Sequence, residues 1–416
     1  MGKTSDLAVD GGKPVRTTPF PPRRMFGQEE KAAAVAVFDA AIASGNAFGY
    51  DGPLEKAYQK EFCDWMGGGL AKTVNSGTSA ILACLAALEL DCGSEVITPP
   101  ISDPGGVMPV PMLNCVPVPA DTDGESFNAG PEQIAAAVTP RTRAIVVAHM
   151  MGEPADMPAI LEVAAKHHLA VIEDCAQAHG ATIGGKPVGS WGTMGAFSTM
   201  SGKHHASAAQ GGMVYTTNEE LFWKARRFMD RGKPYNTDSP TNVVMGLNLN
   251  SNDLSSAIGS VQLRKLPGVL QRRRAVADAV EKALRGRKAV SLARPMAGAV
   301  GSYWFLRLRV DAGMLTVTKD EFAKAVEAEG IPTWASYRHI PSEAAWFVNQ
   351  RTYGKSGCPW HCPHYTGPAQ PKYALPNCER SIDGSFLIFV HENWSEQEIS
   401  DVAAVMAKVE AAYLRP

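Results

Sequence analysis

The chain has almost no excess of charge: 40 lysines and arginines stand against 42 aspartates and glutamates, a formal net charge of −2. That balance offers no field to attract nucleic acid or an anionic membrane surface, so neither is expected as a partner. Long apolar runs are missing as well, because a charged residue interrupts each one before it reaches the length of a membrane span. The opening Met-Gly-Lys-Thr-Ser-Asp has no apolar stretch of the kind a secretion signal carries, and a cytoplasmic protein is expected. Internal repeats and low-complexity tracts are also lacking. The eight cysteines are too dispersed over 416 residues for a disulfide scaffold, and no two are spaced as Cys-x2-Cys. One cluster, Cys358-Pro-Trp-His361-Cys362-Pro-His364 with Cys378 beyond it, invites a zinc reading. Its spacing departs from the usual ligand pairs and two prolines stiffen it, so an ordered loop without metal is expected.

A chain of this length can bury a large core and divide into two or three domains. The Gly- and Pro-rich residues 1–28 read as an extended arm. Helices are expected over Gln28–Ser44 and Pro53–Met66, the second with Leu54, Tyr58, Phe62 and Trp65 on one face for the core. From Lys72 onward short apolar runs alternate with helical patterns. Strands are expected near Val96–Thr98, Cys115–Pro119, Arg143–His149 and Leu169–Asp174, with helices at Pro131–Val138 and Met157–His167 between them. Alternation of this kind implies an α/β fold with a mostly parallel, helix-covered sheet. After the basic helix Arg272–Arg285 the pattern changes: Tyr303–Val310 and Phe386–Val390 read as strands, Lys319–Glu329 and Glu396–Leu414 as helices. A large domain over 29–266 and a smaller α+β domain over 267–416 follow, with the boundary near Pro267.

Chemistry concentrates between Val171 and Gly212. The run Leu169–Ile172 ends in Glu173-Asp174, and carboxylates leaving such a strand face the crevice where open α/β sheets hold ligands. A second strand, Gly195–Met200, leads to Ser201-Gly-Lys203-His204-His205. Lys203 reads either as a solvated turn lysine or as an amine forming a Schiff base with pyridoxal phosphate (PLP), with Asp174 holding the pyridinium nitrogen protonated. Asp174 alone could equally cap a helix. Ser76-Gly77-Thr78-Ser79, between a strand and a helix, is a capping sequence whose free N–H groups and dipole also suit a phosphate. His204 and His205 read as solvated loop residues or as a proton relay.

Three segments carry a family resemblance: Glu-Asp-Cys-Ala-Gln-Ala-His-Gly-Ala at 173–181, Val-Gly-Ser-Trp-Gly at 188–192 and Phe-Ser-x-x-x-x-Lys at 197–203. They closely resemble the DegT/StrS-type sugar and cyclitol aminotransferases, PLP enzymes of fold type I. The resemblance implies a large PLP-binding α/β domain, pyridoxal 5'-phosphate as cofactor, Lys203 and Asp174 as catalytic residues, and a homodimer with shared active sites. It further implies that Gly77, Thr78 and Ser198 hold the phosphate, that Gln177 bonds near the ring hydroxyl and that Ala176 lies under the ring. Asn248, in Gly246-Leu-Asn-Leu-Asn250, keeps the place of a family asparagine that reaches the phosphate of the neighbouring subunit; read alone it is a turn residue.

Three positions depart from the family pattern. Asp103 stands at the cofactor-binding position where an aromatic ring stacks on PLP, Asn250 replaces an arginine, and Gln210 replaces an acid. Asp103 can meet the substrate beside PLP or turn away to cap the Pro-Gly-Gly bend, leaving an apolar side chain such as Ile101 at that face. Arg307, Tyr337, Arg338 and His391 are candidates for the substrate side, each with a structural alternative. The expected activity moves an amino group from glutamate or glutamine to a keto sugar or keto cyclitol in secondary-metabolite biosynthesis. Alternatives are a PLP-dependent dehydratase and aromatase of the aminohydroxybenzoate synthase type, and a PLP-binding regulatory protein without turnover.

Overall fold

Short, almost wholly apolar strands that are buried on both faces need helices over both faces. The computed structural model of the chain, which describes residues 6–369 and 371–416, builds this arrangement. Seven strands form the main sheet: β1 (Leu70–Val74), β2 (Glu95–Thr98), β3 (Val116–Pro119), β4 (Thr142–Ala148), β5 (Ala170–Asp174), β6 (Met194–Ser198) and β7 (Gly212–Thr216). Their order is β1-β7-β6-β5-β4-β2-β3. The pairs β2–β3, β2–β4, β4–β5 and β5–β6 are parallel, and β7 alone runs antiparallel to its neighbours β1 and β6. The expected α/β architecture with a mostly parallel sheet is thus the one formed.

One face of the sheet is covered by the helix Gly77–Ala87, whose Ile81, Leu82 and Leu85 pack on Val96, Val146, Ile172 and Val214. The other face carries Ile145, Val147 and Val171 against Ile160 of the helix Met157–Lys166. A second, four-stranded antiparallel sheet is built from β8 (Val290–Leu292), β9 (Leu306–Val310), β10 (Thr333–Trp334) and β11 (Ser385–Ile388), in the order β8-β9-β11-β10. Helices Lys319–Ala328 and Glu396–Tyr413 close its core through Phe322, Val326, Val405 and Met406.

The boundary expected near Pro267 falls inside a single 32-residue helix, Asp253–Leu284. Proline removes one N–H from the helical ladder, yet packing holds the helix through it. Leu263, Leu266 and Leu270 belong to the core beside the main sheet, while Val276, Ala277 and Val280 belong to the core of the second. One continuous helix therefore joins the two halves across the expected boundary.

Residues 1–5 of the expected N-terminal arm lie outside the described residues. The rest of the arm has little regular structure but is pinned at several points. Leu7 is buried in the core of the second sheet. The backbone N–H groups of Ala8 and Val15 donate to Glu329, each at 2.9 Å. Arg16 pairs with Glu398 at 3.0 Å and Asp401 at 2.5 Å. The helix Gln28–Ser44 forms as expected, but Val35, Phe38 and Ile42 of its apolar stripe remain exposed in the single chain.

Candidate active site

Parallel strands deliver their C-terminal residues to one edge of a sheet, and here three adjacent strands converge. β5 ends at Asp174, β4 is followed by His149 and Met150, and β6 ends at Ser198, five residues before Lys203. The N-terminus of the helix Gly77–Ala87 and the bend Asp103–Gly106 complete a cavity of about 250 Å³. Of the residues singled out from sequence, Gly77, Thr78, Asp103, Asp174, Ala176, Gln177, Ser198 and Lys203 line it. Asn248 does not: it is exposed on a separate loop, and its Oδ1 accepts from Asn250 Nδ2 at 2.9 Å.

Lys203 is no solvated turn residue, being 7% exposed with Nζ 4.0 Å from the centre of the Trp304 ring. Burial lowers its pKa from 10.5 to about 8, against the opposing pull of Asp174 and Asp103. Burial likewise raises the Asp174 carboxyl, opposed by the Ala176 N–H, which donates to Oδ1 at 3.0 Å, and by Lys203 and His149. The loop backbone is clamped from the arm: Arg23 donates to the Lys203 carbonyl at 2.7 Å and to the His204 carbonyl at 3.0 Å. Glu392 holds that arginine at 3.0 Å and Arg273 at 2.9 Å.

The other end of the cavity is built for an anion. Ser76 caps the helix by accepting from Ser79 N–H at 3.1 Å. That leaves the Gly77 and Thr78 N–H groups at the positive end of the helix dipole without an acceptor among the described residues. Gly77 cannot carry a side chain, since a Cβ there would lie 2.7 Å from Ser198 Cβ. A Cβ on Gly105 would lie 2.2 Å from Thr78 Oγ1, and one on Gly106 would lie 2.4 Å from Ser102 Oγ. The glycine pair thus lets the bend close over the cradle. The Asp103 Oδ1 caps the bend by accepting from Gly105 N–H at 3.0 Å, as the turn reading expected, while the residue still lines the cavity. Ile101 is fully buried in a separate cluster with Phe127 and Tyr337 and does not replace it.

Glu173 explains the Val188–Gly192 motif. Its buried carboxylate accepts from the N–H groups of Gly189, Trp191 and Gly192 at 2.7, 2.7 and 2.6 Å and from His149 Nε2 at 3.0 Å. His149 Nδ1 accepts from Ala155 N–H at 3.0 Å, so Nε2 carries the ring proton. The ring lines the cavity beside Asp174. With Cys175 these two residues form the group of ligand-type side chains that converges among the described residues, and their hydrogen bonds are already taken within the protein.

The histidines after Lys203 are buried rather than solvated, at 1% and 0% exposure. His205 bonds Tyr58 Oη through Nε2 and His179 Nδ1 through Nδ1, both at 2.8 Å. Burial holds all three imidazoles neutral at physiological pH, His205 down to about 3. The four substrate-side candidates each have partners within the fold. Arg307 forms a bidentate buried pair with Glu153, and Arg338 pairs with Glu343 and Glu379. His391 bonds the Pro21 carbonyl, and Tyr337 packs between Phe127 and His339 with its phenol hydrogen-bonded to Gln177 of the cavity. His149, Trp304 and Arg23 had no sequence signal beyond position. His149 alone follows a strand end beside β5, where a ligand-facing residue belongs.

Residues 28–364 match the DegT/DnrJ/EryC1/StrS aminotransferase family. The L-glutamine:2-deoxy-scyllo-inosose aminotransferase of Streptomyces fradiae is 30% identical over 97% of both chains. A Streptoalloteichus tenebrarius protein provisionally named L-glutamine:3-amino-2,3-dideoxy-scyllo-inosose aminotransferase is 36% identical over a stretch covering 62% of each chain. The crystal structure of an aminotransferase from Psychrobacter cryohalolentis superposes with a TM-score of 0.84 at 29% identity, covering 95% of this chain and 99% of that one. The family's cofactor fits this cavity on three observations: the acceptor-free N–H pair, the glycines that a Cβ would obstruct, and the Asp174 carboxyl and Lys203 amine that both line it and act on each other electrostatically. The chain belongs to the DegT/DnrJ/EryC1/StrS aminotransferase family and is a PLP-dependent aminotransferase.

Proposed function

We propose that the enzyme moves an amino group from glutamine or glutamate to a ketone on a cyclitol or sugar ring in secondary-metabolite biosynthesis, as a cytoplasmic homodimer. The full-length likeness to the Streptomyces fradiae cyclitol aminotransferase carries the substrate class. Bound PLP supplies an electron sink for the pair released when a Cα–H bond breaks. Lys203 binds it covalently through its amine, and the depressed pKa keeps much of that amine uncharged and nucleophilic near pH 8. The same amine, when not bonded to the cofactor, would be placed to take and return a proton at the donor's Cα. Asp174 holds the proton on the ring nitrogen. Gly77, Thr78 and Ser198 would hold the phosphate, Ala176 is small enough to lie under the ring and Gln177 would bond near its hydroxyl. Asp103 would lie at the cofactor face, near the incoming substrate, and Asn248 of the partner subunit would complete the phosphate site.

The dimer reading draws support from surface that a single chain leaves bare. Val35, Phe38 and Ile42 are exposed, the same helix borders an apolar groove lined by Ala36, Phe48, Leu54 and Ala257, and Met245 near Asn248 is 89% exposed. The deciding experiment loads the enzyme with PLP and follows each half-reaction spectroscopically, first with glutamine, glutamate and alanine, then with keto cyclitols and keto sugars. Conversion with glutamine or glutamate, and amination of a ring ketone, is the expected outcome. Turnover confined to open-chain keto acids would refute the substrate class.

A further inference from the structure

Two thiols from distant parts of the chain meet at the edge of the main sheet. Cys92 stands in the turn before β2, and Cys362 in the long loop between β10 and β11. Their Sγ atoms lie 3.3 Å apart across 270 residues of sequence, and both residues are partly exposed. The surrounding contacts hold them there. A Cβ on Gly93 would lie 2.9 Å from the His364 carbonyl, so the loop sits directly on the turn. Tyr365 Oη donates to Glu95 at 3.0 Å, and Arg141 holds the same carboxylate oxygen at 2.8 Å. Trp360, 1% exposed, packs with Tyr365 against Val116 of the edge strand. Neither cysteine lies in the active-site cavity.

We propose that Cys92 and Cys362 are a redox-active pair, oxidised to a disulfide by a low-molecular-weight disulfide and returned to thiols by a dithiol. The Sγ atoms need only close from 3.3 Å to about 2.05 Å, the length of the bond. The two thiols differ in a way that sets the order of events. The His364 backbone N–H, with hydrogen bonds from Cys92 and Cys358, lowers the pKa of Cys362, whereas burial, reinforced by Cys362 itself, raises that of Cys92 to about 11. Cys362 as thiolate attacks one sulfur of the small disulfide, whose other half leaves as a thiolate and takes up a proton. Cys92 then gives up its proton, attacks Cys362 Sγ and displaces the second small thiol. Two electrons pass from the protein pair to the small disulfide, and both thiol protons end on its products. The bond would tie the loop to the sheet edge covalently.

The test uses the PLP-loaded enzyme, fully reduced and then incubated with oxidised glutathione. Thiols are counted after denaturation and disulfides are mapped by mass spectrometry. The expected result is loss of two of the eight thiols, with one cross-linked peptide pair containing Cys92 and Cys362, reversed by dithiothreitol. Cys92→Ser is expected to accumulate glutathione on Cys362 without resolving it, and Cys358→Ser still to form the Cys92–Cys362 bond. Retention of all eight thiols, or a bond mapped to Cys358–Cys362, overturns the proposal. The mapping needs no variant, so a misfolded mutant cannot obscure it.

Discussion

Lys203 illustrates how burial converts a common surface residue into a reagent. An amine lowered from 10.5 to about 8 binds fewer protons in the folded chain than in the unfolded one between those values. Its contribution to apoprotein stability is therefore complete above about pH 10.5 and is lost as pH falls toward 8. Urea titrations of the apoprotein across that window should show stability rising with pH, and Lys203→Met should flatten the slope. The rate at which apoprotein takes up PLP should rise about tenfold per pH unit below pH 8 and level off above it, since the neutral amine is the reactant. Borohydride should fix the cofactor onto the peptide containing Lys203, and Lys203→Ala should abolish turnover.

Asp103 combines two roles that substitution can separate. Asparagine caps as well as aspartate, so Asp103→Asn should leave PLP binding and unfolding unchanged. Loss of the charge should slow one half-reaction selectively. Asp103→Ala removes the cap too and should cost about 1 kcal/mol of stability. Equal slowing of both half-reactions in Asp103→Asn would count against a substrate contact.

Among the elements, the loop Val188–Gly192 depends on a single carboxylate. Glu173 takes three backbone N–H groups and His149, so the loop, β5 and β4 are tied at one point. Glu173→Gln keeps the shape but turns an amide donor toward donors already present, and each group left unpaired should cost roughly 1–3 kcal/mol. Chemical denaturation measures the loss, and a stability within 1 kcal/mol of wild type would contradict this reading. The two-core helix Asp253–Leu284 makes a related point about elements. Local chemistry at Pro267 argues for a stop, and a continuous buried face on both sides overrides it.

Across the whole molecule, the stripe Val35–Phe38–Ile42 and Asn248 are exposed in a single chain. An isologous dimer would cover the first and present the second to a neighbouring phosphate. Sedimentation should give a dimer, and Asn248→Ala should weaken PLP binding by about 1.5–3 kcal/mol, the worth of a hydrogen bond to a charged group. A monomer with full activity would rule this out.

The amino-acid sequence by itself determined the strand and helix pattern and the residues of the Val171–Gly212 segment, because these depend on local periodicity and on short, ordered spacings. It also marked Gly77 and Thr78, since capping chemistry is local. The tertiary structure alone decided what those groups meet. His149, Trp304 and Arg23 come to the Lys203 loop from 54, 101 and 180 residues away in sequence, and only chain folding sets such distances. The same holds for the charge states. His204 and His205 read as solvated until the core around Tyr58 and His179 closes over them, because desolvation is a property of the surrounding volume and not of the residue.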